Sequence, residues 1–359
     1  MSDSTSIEVK AMERLLSPLA QPYLVQVSTP GSSGARVSIF RDSRTGFLYA
    51  VKCVQNPRIS LIEEQARREL LTPYLKEHLP RVLFCQIIDG HEVMVTECKG
   101  TDTLHNLLTK SASKTDEYLP IWEEVLQNLI DMWKETQHEY VEALSPRHFP
   151  SRIKRIEEGV QNAVFENIRL ADYWDLPIQI NGETYPSLRN SFEKISMVGS
   201  PSFGVLCQGD PQPSNIVVTP GRSWYWVDWE WSGYHQDWRM MASHLMGWWS
   251  SRCLEILAPS SIMVTSTHIE LSYHAHTPSC LHEYQAATLT VPEKLVGETR
   301  AKESVSDINR YLSALYFGEI RFLKLWGRED FFVPMLAQAV TTANDQGQRA
   351  DHADFQYTY

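Results

Sequence analysis

Between Tyr23 and Cys98 the chain alternates short runs of β-branched and aromatic residues with clusters of turn formers. The stretches 23–28, 36–40, 47–54, 81–88 and 91–98 each have the length and composition of a strand. The connection RDSRTG (41–46) and the dipeptide Asp89–Gly90 read as hairpin turns. One stretch breaks the pattern. Residues 60–79 (SLIEEQARRELLTPYLKEHL) have helical composition, with Pro73 placed to kink or end a turn. Three strands, a helix and two strands predict a small antiparallel sheet with one helix laid against it.

After Cys98 the texture changes. In 119–136 the apolar residues Trp122, Val125, Leu126, Leu129 and Trp133 recur at helical spacing. Residues 150–168 read as another helix, with Pro150 or Ser151 near its start. The stretch 169–200 carries no clear pattern. A strand at 215–219, a Pro-Gly-Arg turn and a strand at 224–229 follow. The remainder reads as largely helical, including 308–326 and 331–343. The expected fold class is α+β, with an N-terminal lobe over 1–97 and a mainly helical lobe over 98–359.

Composition narrows the function classes. The chain has 359 residues, 43% hydrophobic and 21% charged, and a formal net charge of −11. That charge argues against nucleic acid as a partner held by bulk electrostatics, and it suits a cationic small molecule. No apolar stretch approaches the roughly 20 residues of a membrane span. The N-terminal MSDSTSIEVK has no apolar core of a signal peptide. Six scattered cysteines without a CxxC pair read as reduced thiols, so the expected compartment is the cytoplasm. The expected assembly is a monomer or a homodimer.

The candidate chemistry begins at LCQGDPQPSNIVV (206–218), where an acid and an amide stand five residues apart on a loop entering a strand. The Asp210 carboxylate can orient a hydroxyl and take its proton. The amide oxygen of Asn215 can reach a metal ion. Asp228, in WVDWE, closes the next strand thirteen residues later and supplies a further oxygen. Hard oxygen ligands suit Mg²⁺. A catalytic Asp, a metal Asn and a metal Asp in this order follow the logic of kinase-type phosphoryl transfer.

The motif QGDPQPSNIVV…WYWVDWEWSGYHQDWRMMA resembles the signature of the aminoglycoside phosphotransferase and choline kinase group, small-molecule kinases with a two-lobed protein-kinase-like fold. The resemblance makes Asp210 the catalytic base, Asn215 and Asp228 the Mg²⁺ ligands, and Asp237 a structural brace. It departs at Gln208, where the family usually has a histidine that braces the loop. Gln can also donate and accept. Lys52, in YAVKCV, matches the Val-Ala-x-Lys strand whose ammonium steadies the ATP phosphates. Its carboxylate partner on the next helix is one of Glu63, Glu64 and Glu69, with Glu69 the closest match to the family. The turn TPGSSGA puts Gly31, Ser32, Ser33 and Gly34 where a phosphate-covering loop belongs. The backbone of Glu97 and Cys98 is placed to meet the adenine edge at an interlobe hinge. Glu230 could face the substrate.

Tryptophans in 224–231 and 247–251 could line a cationic or sugar substrate, although such aromatics more often pack in cores. The implied function is transfer of a phosphoryl group from ATP to a hydroxyl of an antibiotic or amino sugar. GTP as donor stays open, as do choline, amino alcohols, sugars and nucleosides as acceptors, and antibiotic resistance as the role. The competing reading is a catalytically impaired relative that binds nucleotide or a partner protein. No Ala-Pro-Glu segment follows DWE, which disfavours a protein kinase.

Overall fold

The computed structural model describes residues 7–15, 22–27, 35–57, 60–110, 116–146 and 148–345. It opens with helix α1 (Ile7–Leu15), strands β1 (Pro22–Val27), β2 (Arg36–Asp42) and β3 (Leu48–Val54), helix α2 (Leu61–Leu75), and strands β4 (Val82–Ile88) and β5 (His91–Glu97). The five strands form one antiparallel sheet in the order β1-β2-β3-β5-β4. Asp89 and Gly90 join β4 to β5 with φ of 48° and 78°, the left-handed pair that a two-residue hairpin needs.

The sheet carries two helices rather than the one expected. Ala11 and Met12 of α1 bury against Phe40, Val51, Cys53, Ile88, Val93 and Val95. Helix α2 starts at Ser60, whose hydroxyl accepts from Ile62 N. The Glu92 carboxylate of β5 accepts from Leu61 N (2.6 Å) and Ser60 Oγ (2.8 Å). An anion at the helix N-terminus meets its unpaired N–H groups and its dipole, so α2 is anchored to the sheet at that end. Pro73 does not end the helix at its own position; α2 continues to Leu75.

The chain continues through β6 (Asp102–Thr103), α3 (Leu104–Lys110), α4 (Leu119–Glu135), α5 (Phe149–Gln161), the short pair β7 (Val164–Phe165) and β8 (Ile168–Arg169), β9 (Ile178–Ile180), β10 (Glu183–Tyr185) and α6 (Leu188–Ser196). Then come β11 (Gly204–Cys207), β12 (Ile216–Val218), β13 (Trp224–Trp226), β14 (Gly233–Asp237) and α7 (Trp238–Ser251). The last elements are β15 (Glu255–Val264), β16 (Ile269–His276), α8 (His282–Leu289), α9 (Val291–Val296), α10 (Glu298–Ile320) and α11 (Phe332–Asn344). The fold is α+β. Residues 255–276 correct the expectation of a largely helical C-terminal half: β15 and β16 pair and extend a four-stranded sheet, β10-β9-β16-β15.

Two compact units emerge, Met1–Ser111 with Leu206–Gly233, and Ala112–Val205 with Tyr234–Tyr359. In the first, β12 pairs with both β13 and β6, so the 206–233 segment is built onto the N-terminal part of the chain. In the second, α10 packs against α5, α6, α7, α9 and α11. Among the described residues no helix is long and apolar enough to cross a membrane.

Candidate active site

Lys52 lies inside β3, between buried Val51 and Cys53, in register with Val37 of β2 and Met94 of β5. Its ammonium donates to both Glu64 oxygens (3.1 and 2.9 Å) and to Asp228 Oδ1 (2.8 Å). Burial alone would lower the Lys52 pKa, but Asp228 and Glu64 outweigh it and hold the group above its ordinary value. Burial is also the largest influence on Glu64. Its carboxyl is pushed up to about 7 against the pull of Lys52, with Asp228 and Glu230 adding repulsion. Glu230 is raised for the same reasons, burial first and Asp228 next.

Glu64, not Glu69, is therefore the helix carboxylate beside Lys52. Five residues of helix turn Glu69 about 140° away from Glu64. There it is exposed, pairing with Arg68 (3.0 Å) and accepting from Thr72 Oγ1 (3.4 Å). Glu63 is also exposed and pairs with Arg67 (2.5 Å).

Asp228 and Asn215 lie at the same end of one hairpin. Ile216 pairs with Trp226, and Val227 N donates to Asn215 O (2.9 Å). Asn215 Nδ2 donates to Asp210 O (3.0 Å) and Asp210 Oδ2 (3.3 Å), so its amide oxygen is the atom suited to a cation. Gln212 Nε2 also donates to Asp210 Oδ2 (2.8 Å). Sequence reading passed over Gln212; its place two residues after Asp210, inside the same tight loop, is the signal that could have found it.

Gln208 is fully buried. Its Nε2 donates to Asp228 O (2.6 Å) and Val227 O (3.1 Å), and its Oε1 accepts from Asp210 N (2.7 Å). The amide thus ties the loop to the strand that carries Asp228, through groups a neutral imidazole could only partly match. Replacing Gln208 by Ala would strand two carbonyls and an N–H, at a cost of about 3 kcal/mol. Gln208→His keeps one donor and one acceptor and should cost about 1 kcal/mol. Urea unfolding of the two variants checks the ranking. Equal stabilities would refute the brace.

The remaining expected residues are more scattered. Asp237 belongs to the second unit, where it caps α7 through Arg239 N (2.9 Å), pairs with the Arg239 side chain and accepts from Tyr311 OH (2.7 Å). At the expected hinge, Glu97 N donates to Arg81 O and Cys98 N to Leu48 O, both at 3.0 Å. The sheet has already taken both N–H groups, so a base could meet these two residues only through their carbonyl oxygens. Gly31, Ser32, Ser33 and Gly34 lie outside the described residues. Trp224, Trp226, Trp229, Trp248 and Trp249 are buried core side chains, whereas Trp231 is half-buried.

The oxygen atoms gathered here fit a hard divalent cation. Ligand atoms of Glu64, Asp228 and Glu230 lie within 4.8 Å of one another. Three carboxylates face one ammonium, and burial first, with repulsion from Asp228 after it, raises the Glu64 and Glu230 carboxyls. All the candidate donors are oxygens, which suits Mg²⁺ better than softer metals.

Among the solved structures similar to this chain are kinases and phosphotransferases. They include ethanolamine kinase from Plasmodium vivax (13% identity, 90% of this chain and 81% of that one, TM-score 0.47). Choline kinase from Cryptosporidium parvum is another (11% identity, 90% and 87%, TM-score 0.43). A third is an aminoglycoside phosphotransferase from Streptomyces rimosus in complex with ADP and streptomycin (14% identity, 79% and 93%, TM-score 0.40). No protein-family model matches the sequence, and no curated protein matches it at a significant level.

Glu64→Gln provides a test of the electrostatics. A carboxyl raised from 4.5 to about 7 favours the folded state below about pH 4.5, and that contribution is lost as the pH rises through about 7. The neutral amide removes this dependence. The nucleotide-free variant should match or exceed the parent's melting temperature at pH 8 and respond less to pH between 4.5 and 7. Parallel melting-temperature profiles for the two proteins would contradict the assignment.

Proposed function

We propose that the protein is an ATP-dependent kinase that phosphorylates a hydroxyl of a small molecule. The observation that carries this reading is the Lys52 ammonium bridging Glu64 and Asp228, in the same compact unit as the Asp210–Asn215 loop. A plain ion pair needs one carboxylate. An ammonium shared between a helix and a loop acid, beside a surplus of carboxylates, suits a site prepared for a polyphosphate and its cation.

In this reading Lys52 steadies the donor phosphates and Glu64 fixes its direction. Asp228 and the Asn215 amide oxygen would hold Mg²⁺, which would supply positive charge to the donor phosphates. Asp210, its carboxylate oriented by Gln212 and Asn215, positions the acceptor hydroxyl and takes its proton. Most of the acceleration then comes from positioning and charge, which rigid backbone contacts around 208–215 are built to supply.

A phosphate-transfer screen tests it. Aminoglycosides, nucleoside antibiotics, choline and amino alcohols are each incubated with Mg·ATP or Mg·GTP, and product is read by mass spectrometry. Turnover of one acceptor class is expected. Tight Mg·ATP binding with no acceptor turned over would sink the kinase reading in favour of a nucleotide-binding protein.

A further inference from the structure

Asp228 has a positive φ of 61°, a left-handed conformation that aspartate tolerates better than most residues and that here comes with outside restraint. Two side chains supply that restraint. Gln208 grips the segment from the loop side, at the carbonyls of Val227 and Asp228. Arg67, on α2, grips it from the helix side: its Nη1 donates to the backbone oxygen of Glu230 (2.5 Å).

The neighbouring Arg68 does something different. It donates to the carbonyls of Pro80 (3.0 Å) and Leu79 (3.4 Å), which hold α2 to its own following loop, and its guanidinium lies 5.7 Å from the Trp229 ring centroid. Arg67 therefore makes the hydrogen bond from α2 to the 228–230 backbone. It stands one helical turn after Glu64, so the turn that presents the carboxylate to Lys52 also holds the Glu230 carbonyl, two residues after Asp228.

We propose that Arg67 is a positioning residue that locks the Asp228–Glu230 segment to α2, so that Glu64, Lys52 and Asp228 keep one mutual geometry. The inference rests on the kinase reading for its consequence, but not for its geometry. A guanidinium suits the task because its planar fork can bond the Glu230 carbonyl through Nη1 and the Glu63 carboxylate through Nη2 (2.5 Å) at once. The Glu63 pair is made from an exposed position on the helix, where an ion pair contributes little.

Hydrogen exchange of the full chain tests the lock without reference to activity. In Arg67→Ala, amides of 226–233 should exchange about tenfold faster while those of 61–75 keep their protection. Arg67→Lys, which retains one donor, should restore most of the protection, and Glu63→Gln should match the parent. Unchanged exchange at 226–233, or equal loosening of α2 itself, would overturn the proposal. If Arg67→Ala does not fold, the same peptides are read in Arg67→Gln, where faster exchange at 226–233 is again expected and unchanged exchange refutes the lock. In the kinase assay, kcat of the variant should fall at least tenfold with the KM for ATP within about twofold. Loss of protection in a protein that transfers no phosphate leaves the lock standing and removes only the kinase reading. Protection lost without any fall in kcat shows that the lock does not serve catalysis, and overturns the positioning role.

Discussion

Asp210→Asn should reduce phosphate transfer by about 10²–10⁴-fold, the range expected for loss of a general base, while leaving nucleotide binding close to that of the parent. The two halves of the prediction come from different atoms. The carboxylate takes the hydroxyl proton, and an amide cannot. The loop, however, is held largely through the backbone of this residue: Asp210 N donates to Gln208 Oε1 and Asp210 O accepts from Asn215 Nδ2. Neither contact involves the side chain. Even the side-chain contacts from Gln212 and Asn215 need only an acceptor oxygen, which an amide retains. The variant should therefore fold and bind Mg·ATP. Calorimetry reads the affinity and single-turnover kinetics the transfer step. Near-parental transfer would remove Asp210 from the chemistry. Lost binding alongside lost transfer would make its role structural.

What could be read in the sequence follows how local each contact is. Asp210, Asn215 and Asp228 fall within one loop and one hairpin, so spacing alone brings them together. The Lys52–Asp228 contact spans 176 positions, and only the family resemblance could place it. The choice between Glu64 and Glu69 depends on which face of α2 docks. That face was in fact visible: Leu61, Glu64, Arg68, Leu71 and Leu75 are its buried residues, at steps of three and four. A carboxylate falling on the buried stripe is the one that requires a partner, and a closer match to a family pattern is the weaker guide. In β16 the buried Ile269, Leu271, Tyr273 and Ala275 alternate as a strand should. Its partner β15 obscures the signal with Pro259 and two serines. The N–H groups of Glu97 and Cys98 are a different case. Whether an N–H at a strand end is spent on its neighbours depends on register, which the sequence does not display.

Gly209→Ala should be among the most destabilising single changes in the first unit. The backbone there has φ of +91°, and a Cβ would stand 2.0 Å from the carbonyl oxygen of Trp231 and 2.3 Å from its carbonyl carbon. The obstacle is main chain, so no rotamer change relieves it. The φ alone costs a side chain about 1–2 kcal/mol, and the overlap requires the 208–210 turn or the 230–232 segment to move. Both are already pinned. Gln208 holds the carbonyls of Val227 and Asp228, Ser232 Oγ donates to Gln208 O (2.7 Å), and Arg67 holds the Glu230 carbonyl. Movement therefore breaks hydrogen bonds as well as shifting atoms, at about 1 kcal/mol or more for each. A loss of about 3–5 kcal/mol is expected, read as a lower urea midpoint. The loss should exceed that of Gln208→Ala, because deleting a side chain leaves the two backbones free to keep their distance and adding one does not. A variant with parental stability would show that the turn and the Trp231 carbonyl do not approach as closely as the structure places them.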